Sequence, residues 1–498
     1  MIANSKNLFL YFIIFVVSFI FYEGLINGSD HQFVYNWILE HQKFDGNLLN
    51  YIDQADPTKT FHYTFWIIHD YVIFFIFKVI SYISGVQNPF FYEYAIGWIL
   101  TFYFFLGYLV FYNELIKQKI ISSIAFILAS SIFFGSAIIC FSTGYVSECG
   151  ILLLFVLRMK TNNIYYKFIF DILIIFIKPY YLIVSGILIL SQIDNINNIK
   201  VNNFKNYIDN FLKKEFIYVS LLVIFFISTK IQLLLFSDFT DSFFRGFDLF
   251  YFFRNFILLF FSPSFGLLFT FSSIVILLIK GWNGIATILK VLSIILLSFF
   301  LSLLPYWHGQ MGGSRYLAPA LIIFLPEIII AAKIIQKQIL LKNNFIILIL
   351  IFITILNIPV VEYRNTAINE YVSNTVVKNK TYQQRFSYND GDQNYYNFYD
   401  IKFHPSIFAT NIMISKSLGI DVNINNVFRK IPNKNFYPQS GFGRIIFIEK
   451  NSLNKTYSYP IKLNYKLLLL IQATYFLFFL NYISLLLFCL FKVLKFKA

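Results

Sequence analysis

From Ile120 to Ser147 the chain runs without a charged side chain. An apolar stretch that long does not suit a soluble domain, whose helices alternate an apolar stripe with a polar face. It suits a bilayer, where a crossing helix needs about 20 mostly apolar residues. Further runs follow the same pattern, and in their sum they exclude most soluble folds. The chain of 498 residues is 58% hydrophobic and only 13% charged, which places it with polytopic membrane proteins. Every backbone group in lipid must be satisfied within the protein, and runs this long do so as helices.

The formal net charge of +15 does not point to nucleic acid, because the lysines sit in short breaks between apolar runs. There they read as positive-inside topology signals, or as a surface facing anionic lipid. Cys140, Cys149 and Cys489 lie in apolar surroundings and form no CxxC. They give no disulfide framework or metal site.

Read in order, the chain predicts a first helix near Leu8–Ile26, then a polar outer loop over 27–65. A confident span follows at about Phe91–Phe111, with Lys117 and Lys119 at its inner end. Ile120 to Arg158 reads as an outward helix, a tight turn near Phe141–Gly144 and an inward helix. Arg158, Lys160 and Lys167 then make an inner loop. Ile169–Leu190 is broken at Lys178-Pro179, which predicts two short half-helices. Later spans are expected at about Phe216–Phe236, Phe256–Ile279 with a break at Ser262-Pro263-Ser264, Thr287–Leu304, Leu317–Ala332, Asn344–Pro359 and Leu467–Leu490.

The expected fold is thus an all-α polytopic membrane protein with about 12 transmembrane helices. Residues 1–360 form a transmembrane module and 361–463 a mixed soluble segment on the outer side. Residues 464–498 form a terminal transmembrane helix with a basic cytoplasmic tail.

Polar groups gather on the side assigned as outer. They are Asp30, Asp45, Glu148, Lys178, Arg245, Trp307, His308, Arg315 and Tyr316. Ionisable groups near a bilayer are costly, so they are usually paired or functional. Asp30 has the chemistry of a general base for a hydroxyl. Arg315 offers a planar fork for phosphate oxygens and Lys178 a point charge. Tyr306, Trp307 and Tyr316 offer faces for a sugar ring or an isoprenoid chain. Each has a plainer reading. Asp30 caps a helix after Gly28-Ser29, Asp45 makes an Asp-Gly turn, Glu148 pairs with Lys178, and the aromatic residues form an interfacial belt.

Four stretches, in this order, carry a family resemblance: Ser29-Asp30 with Tyr35 and Phe44-Asp45-Gly46-Asn47-Leu48; Phe176-Ile177-Lys178-Pro179; Phe261-Ser262-Pro263-Ser264-Phe265-Gly266-Leu267-Leu268-Phe269; and Trp307 with Gly309, Gly312-Gly313-Ser314-Arg315-Tyr316-Leu317 and Pro319. Together they resemble the bacterial polytopic glycosyltransferases of the GT-C superfamily, which use polyprenyl-phosphate sugars, with a mannosyltransferase-like pattern. The likeness covers about residues 1–335.

The resemblance implies a GT-C-like module in the bacterial inner (cytoplasmic) membrane, with its active site facing the periplasm or exterior. The donor it implies is a polyprenyl-linked sugar phosphate or diphosphate, and the acceptor a glycan, lipid or protein hydroxyl in the cell envelope. By this resemblance Asp30 takes the place of the family's acidic residue beyond the first span, as catalytic base or acceptor-positioning group, and Arg315 that of its donor-phosphate arginine. No metal or other cofactor is called for. The pattern departs from the family at Lys178, where an arginine is expected, and at Gln310-Met311 before the glycines. A secondary transporter or lipid flippase, or a polysaccharide polymerase or ligase, is the competing expectation. For transport, Lys178-Pro179 in a broken helix and Glu148 within the membrane carry the case.

Overall fold

A computed structural model describes residues 89–139, 148–191, 249–263, 266–302, 316–341, 343–357 and 465–495, with single positions 79, 83 and 407. Within them the chain is almost entirely helical, and no strand occurs among the described residues. The helices are α1 (Pro89–Lys117), α2 (Ser122–Phe133), α3 (Glu148–Lys160), α4 (Ile164–Ile177), α5 (Leu182–Ser191), α6 (Leu249–Phe261), α7 (Leu267–Thr270), α8 (Ser272–Lys280), α9 (Gly284–Ser302), α10 (Leu325–Leu340), α11 (Phe345–Asn357) and α12 (Tyr465–Leu494). Two 3₁₀ segments, Pro179–Tyr181 and Ala318–Phe324, join α4 to α5 and lead into α10.

Two of these elements, Gly284–Ser302 and the continuous Ala318–Leu340, are long and apolar enough to cross a membrane. Others are too short to do so alone: α7 has 4 residues and α8 has 9. A dozen α-helices among the described residues is therefore not a dozen crossings.

The core is built around α2. Every residue from Ile124 to Phe133 is buried, as expected of a helix that is apolar on all sides. It is surrounded by α1, α11 and α12. Phe104, Tyr108 and Phe111 of α1 set their rings edge-on against Phe133, with centroids 5.5–5.6 Å apart. Tyr482 of α12 meets Phe126 at 6.0 Å and Phe134 at 5.4 Å. At the end of α2 the side-chain amide of Asn357 donates to the carbonyls of Phe134 (2.9 Å) and Ser136 (2.8 Å). It thereby satisfies acceptors that a terminating helix leaves open. The start of α2 is held by the Gln336 side chain, which accepts from the Ile121 N–H at 2.9 Å.

The helix α9 turns polar residues inward and an apolar face outward. Thr287, Lys290, Ser293, Ser298 and Ser302 are buried together with Ile294, Leu297 and Leu301, while Ile285, Ile288, Leu292, Leu296 and Phe299 are exposed. Water would favour the opposite arrangement, with apolar groups inside. A bilayer favours this one, because lipid tails are as apolar as leucine and the small polar residues serve the helix–helix contacts. Lysines close several helices: Lys117, Lys160, Lys280, Lys337 and Lys492 occupy the last turns of α1, α3, α8, α10 and α12.

Several expected boundaries move. The span placed at Phe91–Phe111 extends over Pro89–Lys117. The broken span placed at Phe256–Ile279 begins at Leu249 and is divided into α6, α7 and α8. Its break lies where expected, and the Gly266 N–H closes it on the Ser262 carbonyl at 2.7 Å. The inner loop expected over Arg158–Lys167 shrinks to Thr161–Asn163, because the Asn163 side chain accepts from the Tyr165 N–H and caps α4 early. Lys167 accordingly lies in α4. Residues 361–463 and the first outer loop fall outside the described residues, apart from position 407.

Candidate functional site

The site begins at a proline. Pro179 has no N–H to continue the α4 ladder, and its ring disfavours a helical residue before it. Lys178 accordingly leaves the helix in an extended conformation (φ −141°, ψ 100°) while its own N–H still bonds to the Ile174 carbonyl at 3.0 Å. The Tyr181 N–H closes the turn on the Lys178 carbonyl at 3.1 Å. The chain then folds back as α5, and the two half-helices read from the sequence are α4 and α5. Their side chains meet across the hairpin, where Ser185 of α5 donates to Asp171 of α4 at 2.8 Å.

The tip of this hairpin rests on the end of the glycine-rich segment. The buried Tyr181 hydroxyl donates to the Tyr316 carbonyl at 2.6 Å. The Tyr180 and Tyr316 rings stand edge to face, 5.8 Å apart at 69°. Lys178 Nζ lies 5.7 Å from the centre of the Tyr316 ring, within reach of a cation–π contact. Behind them Tyr181 packs edge-on against Phe155, and Tyr180 lies 6.5 Å from Phe300. Beyond Tyr316 the chain enters the core, with Leu317, Ala318 and Ala320 almost fully buried.

Two ion pairs lie below this tip. Arg158 in the last turn of α3 donates from Nε to Asp171 Oδ1 at 2.5 Å, and neither side chain is accessible. Lys290 of α9 donates to both carboxylate oxygens of Glu327 at 2.8 Å. Thr287 adds a hydroxyl to Glu327 at 3.1 Å, and its oxygen accepts the Asn283 N–H at 3.0 Å. Glu327 sits in the first turn of α10, where the helix dipole favours a negative charge. Gly281 lets this turn approach, since a Cβ there would overlap the Glu327 carbonyl. Arg158 and Lys290 are close enough to act on each other electrostatically. The four charges balance, so the interior holds them at no net charge.

Of the residues singled out in the sequence, the structure brings Lys178 and Tyr316 together. Glu148 opens α3, but its side chain lies outside the described residues, as do Asp30, Asp45, Arg245, Trp307, His308 and Arg315. Arg158 requires a correction. It is not a loop residue but lies in the last turn of α3, as the cation of a buried pair with Asp171 of α4. Asp171, Lys290 and Glu327 were not anticipated. Part of their signal was present: Lys290 and Glu327 are each the one charge in the apolar runs Thr287–Leu304 and Leu317–Ala332, and their signs are opposite. Among the described residues no cluster of His, Cys, Asp and Glu suits a metal ion.

Compared with known proteins, the chain matches no family model, no curated protein and no solved structure.

Proposed function

We propose that the chain is a GT-C-like glycosyltransferase of the bacterial inner membrane, with about 12 spans over its full length. It transfers a sugar from a polyprenyl-phosphate or diphosphate donor to an acceptor hydroxyl on the outer side, in cell-envelope glycan or glycolipid modification. The observation that carries this reading is a meeting of two motifs. The basic-proline break and the Tyr316-Leu317-x-Pro319 segment, far apart in sequence, touch through Tyr181, Lys178 and Tyr316. The outward apolar face of α9 supports the membrane setting.

In this reading Asp30 removes the proton from the acceptor hydroxyl as that oxygen bonds to the anomeric carbon. The bond from that carbon to the lipid phosphate breaks, and the phosphate leaves with the electron pair. A phosphate is a good leaving group, so no second carboxylate is needed to protonate it, unlike in glycoside hydrolysis. Arg315 and Lys178 hold the phosphate, while Trp307, Tyr316 and His308 line the sugar side with Asp45, Glu148 and Arg245. No cofactor takes part.

The test is purified full-length protein with a panel of polyprenyl-phosphate sugars, read by mass spectrometry of the acceptor product. Transfer from one donor supports the reading, and no transfer from any donor or acceptor class removes it. A transporter is the second reading, favoured by the broken α4–α5 hairpin above buried charges. Counterflow of labelled substrate in proteoliposomes, without product formation, would favour it.

A further inference from the structure

We propose that Arg158, Asp171 and Ser185 are positioning residues that set Lys178 against Tyr316. The proposal rests on the site described above but not on the sugar-transfer chemistry. Asp171 and Ser185 lie the same number of residues before and after Lys178, one on each arm of the hairpin. The Ser185 hydroxyl and the Arg158 guanidinium converge on one oxygen, Asp171 Oδ1. The clamp therefore ties both arms to each other and to the end of α3. Lys178 stands about 10 Å farther along α4, at the rise of an α-helix. A small opening of the arms at the clamp is carried to the tip, because each arm is a short rigid helix.

A matching arrangement lies across from it. Beyond Tyr316 the 3₁₀ segment Ala318–Phe324 leads into α10, and Lys290–Glu327 joins α10 to α9. Each partner of the Tyr181–Tyr316 bond thus has a buried ion pair in the helices next to it in the chain. Isolated buried pairs often add little stability, and their best-attested use is to fix one arrangement among alternatives. Asp171 answers to that use, since its partners come from α3 and α5 while it stands on α4.

The experiment reads the position of Lys178 directly. Full-length protein in nanodiscs is treated with a small amine-acylating reagent, and labelling of each lysine is followed by mass spectrometry. Ser185→Ala removes one buried hydrogen bond and leaves the ion pair, so the fold should survive. Labelling of Lys178 is expected to rise about fivefold, the factor that a lost bond of about 1 kcal/mol gives in a local opening equilibrium. Lys160 and Lys337, at helix ends, should not change. Ser185→Thr, which keeps the hydroxyl, should restore the original rate. Asp171→Asn should raise the Lys178 rate further. An unchanged Lys178 rate in Ser185→Ala, an equal rise at all lysines, or a failure of Ser185→Thr to restore it would each overturn the proposal. None of these outcomes depends on whether the protein transfers a sugar.

Discussion

The Tyr181 hydroxyl reaches across from the α4–α5 turn and donates to the Tyr316 main-chain carbonyl at 2.6 Å. It links two stretches 135 residues apart in sequence. A side chain that bonds to backbone fixes the path of the chain there, whatever side chain the partner residue carries. Tyr181 is fully buried, so water has no access to replace this bond.

Tyr181→Phe should therefore destabilise the protein by about 0.5–1.5 kcal/mol, the net worth of one intramolecular hydrogen bond. Thermal unfolding in detergent, followed by loss of native tryptophan fluorescence, measures it. A variant as stable as the parent would mean that the Tyr316 carbonyl finds another partner.

The Lys290–Glu327 pair gives an asymmetric expectation. Lys290→Met alone leaves a buried carboxylate without its cation and should cost about 3–5 kcal/mol. The double variant Lys290→Met with Glu327→Leu should recover most of that loss, because two apolar groups of similar size leave no charge to compensate. Unfolding midpoints of the three proteins form the comparison. Equal losses in single and double variants would show that packing, and not charge, holds α9 to α10.

At Gly281 the added methyl of Gly281→Ala falls on the Glu327 carbonyl, which is backbone and cannot swing aside. Separation of α8 from α10 should cost about 1–3 kcal/mol, in the range of overpacked cores. Gly186, which has open space around its Cβ position, is the control. Gly186→Ala should leave the midpoint unchanged or raise it slightly.

The exposed face of α9 should touch lipid. Nitroxide labels at positions 288, 292 and 299 should relax faster with oxygen, which concentrates in the bilayer, than with a water-soluble nickel complex. Leu292→Lys should reduce membrane-inserted yield, since a charge at mid-span costs about 2.5–3.5 kcal/mol on insertion scales. Preferential access of the nickel complex at all three positions would remove α9 from the membrane surface.

For the proposed chemistry, Asp30→Asn should abolish sugar transfer while the unfolding midpoint stays close to that of the parent. Full activity in the purified variant would exclude Asp30 as the base.

The parts of the fold that could be read from the sequence are those fixed by local chemistry. The break at Lys178-Pro179 is one, because a missing N–H and a steric clash act within a few residues. The break near Ser262-Pro263 is another. The joining of Lys178 to Tyr316 was suggested only by motif order, and its physical basis, the Tyr181 hydroxyl, carries no local sign. Arg158 was misread because a cation near the end of an apolar run looks alike whether it faces water or a carboxylate on the next helix. Asp171 has Lys167 four residues before it and Glu327 has Lys333 six after it, so local spacing does not name Arg158 and Lys290 as their partners; only packing does. Asp30, Asp45, Arg245, Trp307, His308 and Arg315 stand on the sequence alone.

The wrapping of α2 has a consequence for biosynthesis. Ring contacts from Tyr482 cover Phe126 and Phe134, so one wall of the central helix is supplied by a segment translated long after it. Until α12 arrives, that side of α2 needs a temporary cover, from lipid or from the insertion machinery. Interruption of translation before Tyr465 would leave a nascent chain in which Phe126 and Phe134 lack the ring of Tyr482.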